Sequence, residues 1–166
     1  MNPNPTGLPQ SQRPSPNSGM ISPNDSQYVS RAFFVYEVDT VATIPLSVAA
    51  PTANLTFNVA KDSDFFWTKF GVHAVVGTDG TTVSAEQLAE VSITIQNTTT
   101  GRNYMSNPVP VASISGNGRL PFILPMVTLW ESLSTIAITL QNTSDNTDYS
   151  AVKLSFIGIK AFFGQR

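Results

Sequence analysis

EVSITIQN, residues 90–97, alternates without a break: Val91, Ile93 and Ile95 fall on one side of an extended chain, Ser92, Thr94 and Gln96 on the other. Successive side chains of a strand point to opposite faces, so this pattern gives one face to a core and the other to water. The same reading extends in both directions along the chain. Short runs rich in β-branched and aromatic residues recur at AFFVYEVD (32–39), NLTFNVA (54–60), FFWTKFGVHAVV (65–76), RNYMSNPV (102–109), RLPFIL (119–124), STIAITLQN (134–142) and AVKLSFIGIKAFF (151–163). A further run, VATIPLSV (41–48), contains Pro45, which confines it to a sheet edge. Turn residues cluster between the runs, at GTDGTT (77–82), SGNG (115–118) and TSDNTD (143–148). Only SAEQLAEV (84–91) has helical spacing, for a turn or two. Eight or nine strands in so short a span predict an all-β, two-sheet, jelly-roll-like sandwich of about eight strands.

Ahead of this domain lies a different kind of chain. Residues 1–27, MNPNPTGLPQSQRPSPNSGMISPNDSQ, hold six of the twelve prolines, and Leu8, Met20 and Ile21 are their only large apolar residues. Each proline removes a backbone donor and biases its predecessor toward extended conformations, and three apolar side chains bury too little to offset the ordering entropy. The expected division is an extended N-terminal arm over residues 1–30 and a sandwich over 31–166. Fully extended, such an arm reaches about 90 Å, enough to cross a neighbouring subunit. It lacks the basic start, apolar run and cleavage site of a secretory leader.

Composition narrows the function. Charged residues make up 12% of the 166, with a net charge of −2, against about 25% in ordinary soluble chains. Nine scattered basic residues outnumbered by eleven acids argue against direct nucleic-acid binding and equally against a membrane-surface role, so neither nucleic acid nor membrane is expected as a partner. With no cysteine and one histidine, cysteine nucleophiles and the usual zinc sets are excluded. His73, inside FGVHAVV, reads as a residue on the more polar face of its strand. Asp62 and Asp64 could pair or hold a cation, but stand where aspartate closes a turn. Asp145 and Asp148 lack the glycine and closing glutamate of a calcium loop, Glu37 and Asp39 read as the polar exit of the first strand, and SGNGR has no lysine or helix behind it to cradle phosphate. The expectation is no enzyme, no catalytic residue, no cofactor and no metal. Sequons at Asn24, Asn54, Asn97 and Asn142 read as chance in a chain rich in Asn and Thr.

Aromatic weight is what the sequence shows instead. Phe65, Phe66 and Trp67 are consecutive, so a strand must send at least one outward, where it needs cover. Val152, Leu154 and Phe156 line one face of the last strand, while Ile157, Ile159 and Ala161 follow on the other. An apolar outward face at that end predicts cover by another element or another subunit. SITIQNT (92–98) and AITLQNT (137–143) echo each other 45 residues apart, as equivalent strands of two Greek keys would, or as two solutions to one strand-and-turn problem.

Four marks carry a family resemblance: an acid before an aromatic strand (Asp64 to Trp67 in DSDFFWTKF), a strand running into an amide and a Gly-Arg turn (Ile95 to Arg102), a glycine-rich turn leading to a proline (Gly116 to Pro121), and a closing strand with Gly158 ahead of Lys160. Over residues 31–163 this succession resembles the small jelly-roll accessory proteins of tailed bacteriophage virions. The resemblance implies a cement or decoration protein on the capsid exterior, made in the host bacterial cytoplasm. It further implies a homotrimer that bridges and stabilises major capsid subunits, with other virion accessory proteins as further partners. The expected attachment residues are Leu8, Met20 and Ile21 of the arm and Ile157 and Ile159 of the last strand. Three other readings stay open: a neck, collar or fibre-base protein; a carbohydrate-binding jelly roll in which Trp67, Trp130 or Tyr104 stacks on sugar; and, for want of a catalytic set the least supported, an enzyme.

Overall fold

The computed structural model describes residues 23–40, 51–76, 81–83, 90–116, 120–144 and 148–164. Its elements are β1 (Tyr28–Asp39), β2 (Thr52–Asn58), β3 (Ser63–Val76), β4 (Thr81–Val83), β5 (Val91–Asn97), β6 (Arg102–Asn103), β7 (Val109–Pro110), α1 (Val111–Ile114), β8 (Phe122–Trp130), β9 (Thr135–Asn142) and β10 (Tyr149–Phe163). β1 pairs with β10, β2 with β9, β3 with β8, and β5 with both β6 and β7, every pair antiparallel. First is thus nested with last, as in one long hairpin. Rolling that hairpin over itself brings β10 against β3 and β9 against β5. The result is two sheets, β1-β10-β3 with β4 and β8 on the far edge of β3, and β2-β9-β5 with β6 and β7 on the far edge of β5. This is the jelly-roll winding.

The alternation of β5 behaves as read: Val91, Ile93 and Ile95 are buried while Ser92, Thr94 and Gln96 face outward. Between the sheets, Trp130 is the hub of an aromatic core, stacked on Trp67 at 5.0 Å and packed against Phe57, Phe65 and Phe156. Ring pairs of this kind add about 0.5–1.5 kcal/mol each beyond their burial. The two echoing segments are β5 and β9, direct neighbours, with Ile95 opposite Ile138. Each ends in a buried asparagine that turns the chain with its own side chain. Asn97 Oδ1 accepts the N–H groups of Thr99 and Thr100, and Asn142 Oδ1 that of Ser144. Exposures of 3% and 4% leave both amides inaccessible to glycosylation in the folded domain.

Several expectations need correction. β1 begins at Tyr28, four residues ahead of the strand expected from Ala32. RNYMSNPV is two short strands, because the chain turns through Ser106–Pro108 before Val109 rejoins β5. RLPFIL does not end at Leu124; the strand starts at Phe122 and runs through Pro125 to Trp130. GTDGTT extends into a strand, β4, on the edge of β3, and α1 had not been expected. The run 41–48, residues 84–89 of the expected helix, the arm residues Leu8, Met20 and Ile21, and Asp145 lie outside the described residues.

Candidate partner-binding surface

β10 keeps its alternation from end to end. Val152, Leu154 and Phe156 face the core, and Lys153, Ser155, Ile157, Ile159 and Ala161 face out. Pairing carries these outward residues into rows across the sheet. Phe33 of β1, Ile159, Phe66 of β3 and Leu129 of β8 form one row; Val35, Ile157, Lys69 and Ile123 form the next. Four strands about 4.8 Å apart make each row roughly 14 Å wide.

The first row is two-storeyed. Phe66, the outward member of the aromatic triplet, is fully buried in a small second cluster with Tyr28 and Ala161, flanked by Leu129, Ile159 and Phe163. The cover that the triplet demanded comes from this chain itself: the Tyr28 ring meets Phe66 edge-on at 5.7 Å and Phe163 at 5.6 Å. Ala161 is covered the same way, and Ile157 and Ile159 are half-buried. Phe33 ends the row with 74% of its surface exposed, and Ile123 ends the other with 68%. Val29, near the start of β1, is exposed as well.

Asp64 holds the edge of this face in place. Its Oδ2 accepts the Tyr28 hydroxyl at 2.6 Å, and its Oδ1 accepts the Ser132 N–H at 2.7 Å. The carboxylate therefore ties the start of β1 to the turn after β8, a longer reach than the local turn expected of it. Burial first, and then the bond to Asp64, push the Tyr28 hydroxyl well above its ordinary pKa. Asp62 accepts a bond from Ser63 beside it. Glu37 and Asp39 face Lys153 across the β1–β10 pair at 3.7 and 3.4 Å, a partly solvated contact of modest strength. His73 is exposed on the outer face, opposite Lys153. Among the described residues, no group of three or more His, Cys, Asp or Glu is placed to hold a metal ion.

The side chains expected to stack on sugar are placed unequally. Trp67 and Trp130 are core residues, at 4% and 0% exposure. Tyr104 is half-buried between two clefts. A polar one of about 330 Å³ is lined by Asn97, Arg102 and Glu131, with the Arg102 guanidinium 5.3 Å above the Tyr104 ring. An apolar one of about 350 Å³ lies under β8. Burial pushes the Tyr104 hydroxyl up in pKa.

Sequence reasoning placed Ile157 and Ile159 on the outward face of the last strand, where the structure has them, but missed the ends of their rows. Phe33 sits in a strand apolar on both sides, and only the register to β10 shows which side is out. The exposed side chains of β8 were signalled by Pro125 inside an unbroken apolar run, FILPMV, a combination that a buried central strand would not carry. No protein-family model matches the chain, and neither a curated protein nor a solved structure shows detectable similarity to it.

Proposed function

We propose that this chain is a structural component of a tailed-phage virion, a cement protein on the capsid exterior that bridges major capsid subunits, assembling as a homotrimer. The observation that carries the reading is the outer face of the β1-β10-β3-β8 sheet, where Phe33 and Ile123 stand exposed beside half-buried Ile157 and Ile159. An apolar face ending in large exposed side chains supports a docking role, since such patches mark interaction surfaces. The jelly roll is a common host for coat and lectin domains, so the fold agrees with this role without singling it out. Scarce charge suits a surface that meets other protein. A protein that binds only the assembled lattice stabilises it by mass action, and many weak contacts act together through multivalency.

The first test is the copy number of this chain per purified virion, measured by quantitative mass spectrometry against the major capsid protein. Copies on the order of hundreds are expected, because icosahedral symmetry multiplies each capsid site. About a dozen or fewer would place the chain at the neck, collar or fibre base. Absence from virions would falsify the reading altogether. Phe33→Asp carries the test to the surface: it should abolish attachment to capsids lacking this protein while the circular dichroism melt stays unchanged.

A further inference from the structure

β8 does not follow β3 evenly. Trp67 pairs with Thr128 and Lys69 with Ile123, so a step of two residues in β3 faces a step of five in β8. The surplus, around Pro125, leaves the ladder; Pro125 has no N–H to pair, which makes the departure cheap there. Beneath the lifted segment the sandwich gapes into the apolar cleft. Trp67 and Phe70 form its floor, and Tyr104, Met105, Phe122 and Met126 its walls. None of the residues lining it is charged. An aromatic-lined groove with methionine walls fits an extended, proline-bearing segment, whose stiffness lowers the entropy lost on docking.

The sequence supplies a proline-bearing segment. Residues 1–22 contain five prolines and one charged side chain, Arg13. They join the described domain at Pro23, whose carbonyl accepts a hydrogen bond from Arg31 Nε on β1. From β1 to β8 the sheet is about 14 Å wide. Met20 and Ile21 stand within three residues of Pro23, a reach of roughly 10 Å, and so stop short of β8. Leu8, fifteen residues from Pro23, reaches up to about 50 Å and has slack to round the edge.

We propose that the cleft under β8 is the seat of this chain's own N-terminal arm in the free protein, with Leu8 and its neighbours Pro5 and Pro9 packed between Tyr104, Phe122 and the two methionines. The occupant is the arm of the same molecule, because a tether of this length holds its end at an effective concentration around the millimolar range. The proposal does not rest on the virion reading: it concerns the isolated protein.

The composition provides its own probes. The chain has no cysteine and four methionines, two in the arm (Met1 and Met20) and two in the cleft (Met105 and Met126). A nitroxide placed on Gln10→Cys in full-length protein with ¹³C-methyl methionine should broaden the Met105 and Met126 methyl signals. Adding Leu8→Asp to that protein should restore them. Unbroadened cleft methyls would overturn the proposal, as would broadening that persists in the Leu8→Asp protein. A mixture of spin-labelled, unenriched protein with enriched, unlabelled protein separates the sources. Cleft signals should stay sharp there; broadening would mean that another copy supplies the arm, which overturns docking within one molecule.

Discussion

The two outer faces of the sandwich are built from the same alternation and finished in opposite ways. On the β2-β9-β5 sheet the outward residues are, Ala137 apart, hydroxyls and amides: Thr52, Asn54, Thr56 and Asn58 on β2, Thr135, Thr139 and Gln141 on β9, Ser92, Thr94 and Gln96 on β5. They bond to one another across the strands, Thr139 Oγ1 donating to Asn54 Oδ1 at 2.9 Å and Thr135 Oγ1 to Asn58 Oδ1 at 2.8 Å. That face needs nothing further. On the β1-β10-β3-β8 sheet, the outward positions of β10 change midway from Lys153 and Ser155 to Ile157 and Ile159, and the rows they enter end in exposed Phe33 and Ile123. The difference teaches that low charge yields two kinds of surface here: a polar face closed on itself and an apolar face left exposed.

Within the open face, burial should separate stability from attachment. Phe66→Ala removes a fully buried ring and is expected to cost about 3–5 kcal/mol, read by urea denaturation. Phe33→Ala, in the same row, should change stability by about 0.5 kcal/mol or less while weakening attachment. If the two substitutions cost the same, the face is ordinary core and the partner-binding reading loses its basis.

Tyr28→Phe probes the edge of that face. It strips Asp64 Oδ2 of its donor, and a buried acceptor left unpaired costs about 1–3 kcal/mol. The pH dependence has a fixed sign. A phenol whose pKa is raised in the folded state keeps its proton where the unfolded chain has lost it, so stability is intact below pH 10 and falls as pH rises above that ordinary value. Tyr28→Phe should flatten this alkaline slope, read as melting temperature between neutral and strongly alkaline pH, but not abolish it. Tyr104 and Tyr149, also raised by burial, contribute the remainder.

How much of this was legible beforehand follows from where the cause lies. β3, β5, β9 and β10 could be read because alternation is a local property and each strand pays its pattern into a single core. β8 could not, since Pro125 signals a strand end to local reasoning, whereas here it sits in a three-residue surplus where the ladder to β3 is already broken. α1 has four residues, too few for any periodicity to show. The apolar end of β10 was visible in the order of its residues. That Ala161 and Phe66 would be covered from within, by Tyr28, was not, because it depends on a contact between residues 28 and 66 that only the rolled topology creates.

The smallest expected effect tests the closed face. Asn54 and Thr139 are directly opposite and exposed, so truncating either should cost only about 0.2–1 kcal/mol. The informative quantity is their coupling. A double-mutant cycle of Asn54→Ala and Thr139→Ala should return a favourable coupling of about 0.5 kcal/mol, the double substitution costing that much less than the two single ones added, if the ladder bond contributes in solution. Under the proposed cement role, capsid attachment should be the same in all four proteins, because this face lies on the sheet opposite the proposed docking surface. A loss of attachment in the cycle would move the docking surface to the polar sheet and leave the apolar rows without their assigned role. Zero coupling with attachment intact would instead mean that water serves each side chain as well as its neighbour does. The face would then be polar without being self-bonded, and the contrast between the two sheets would reduce to exposure alone.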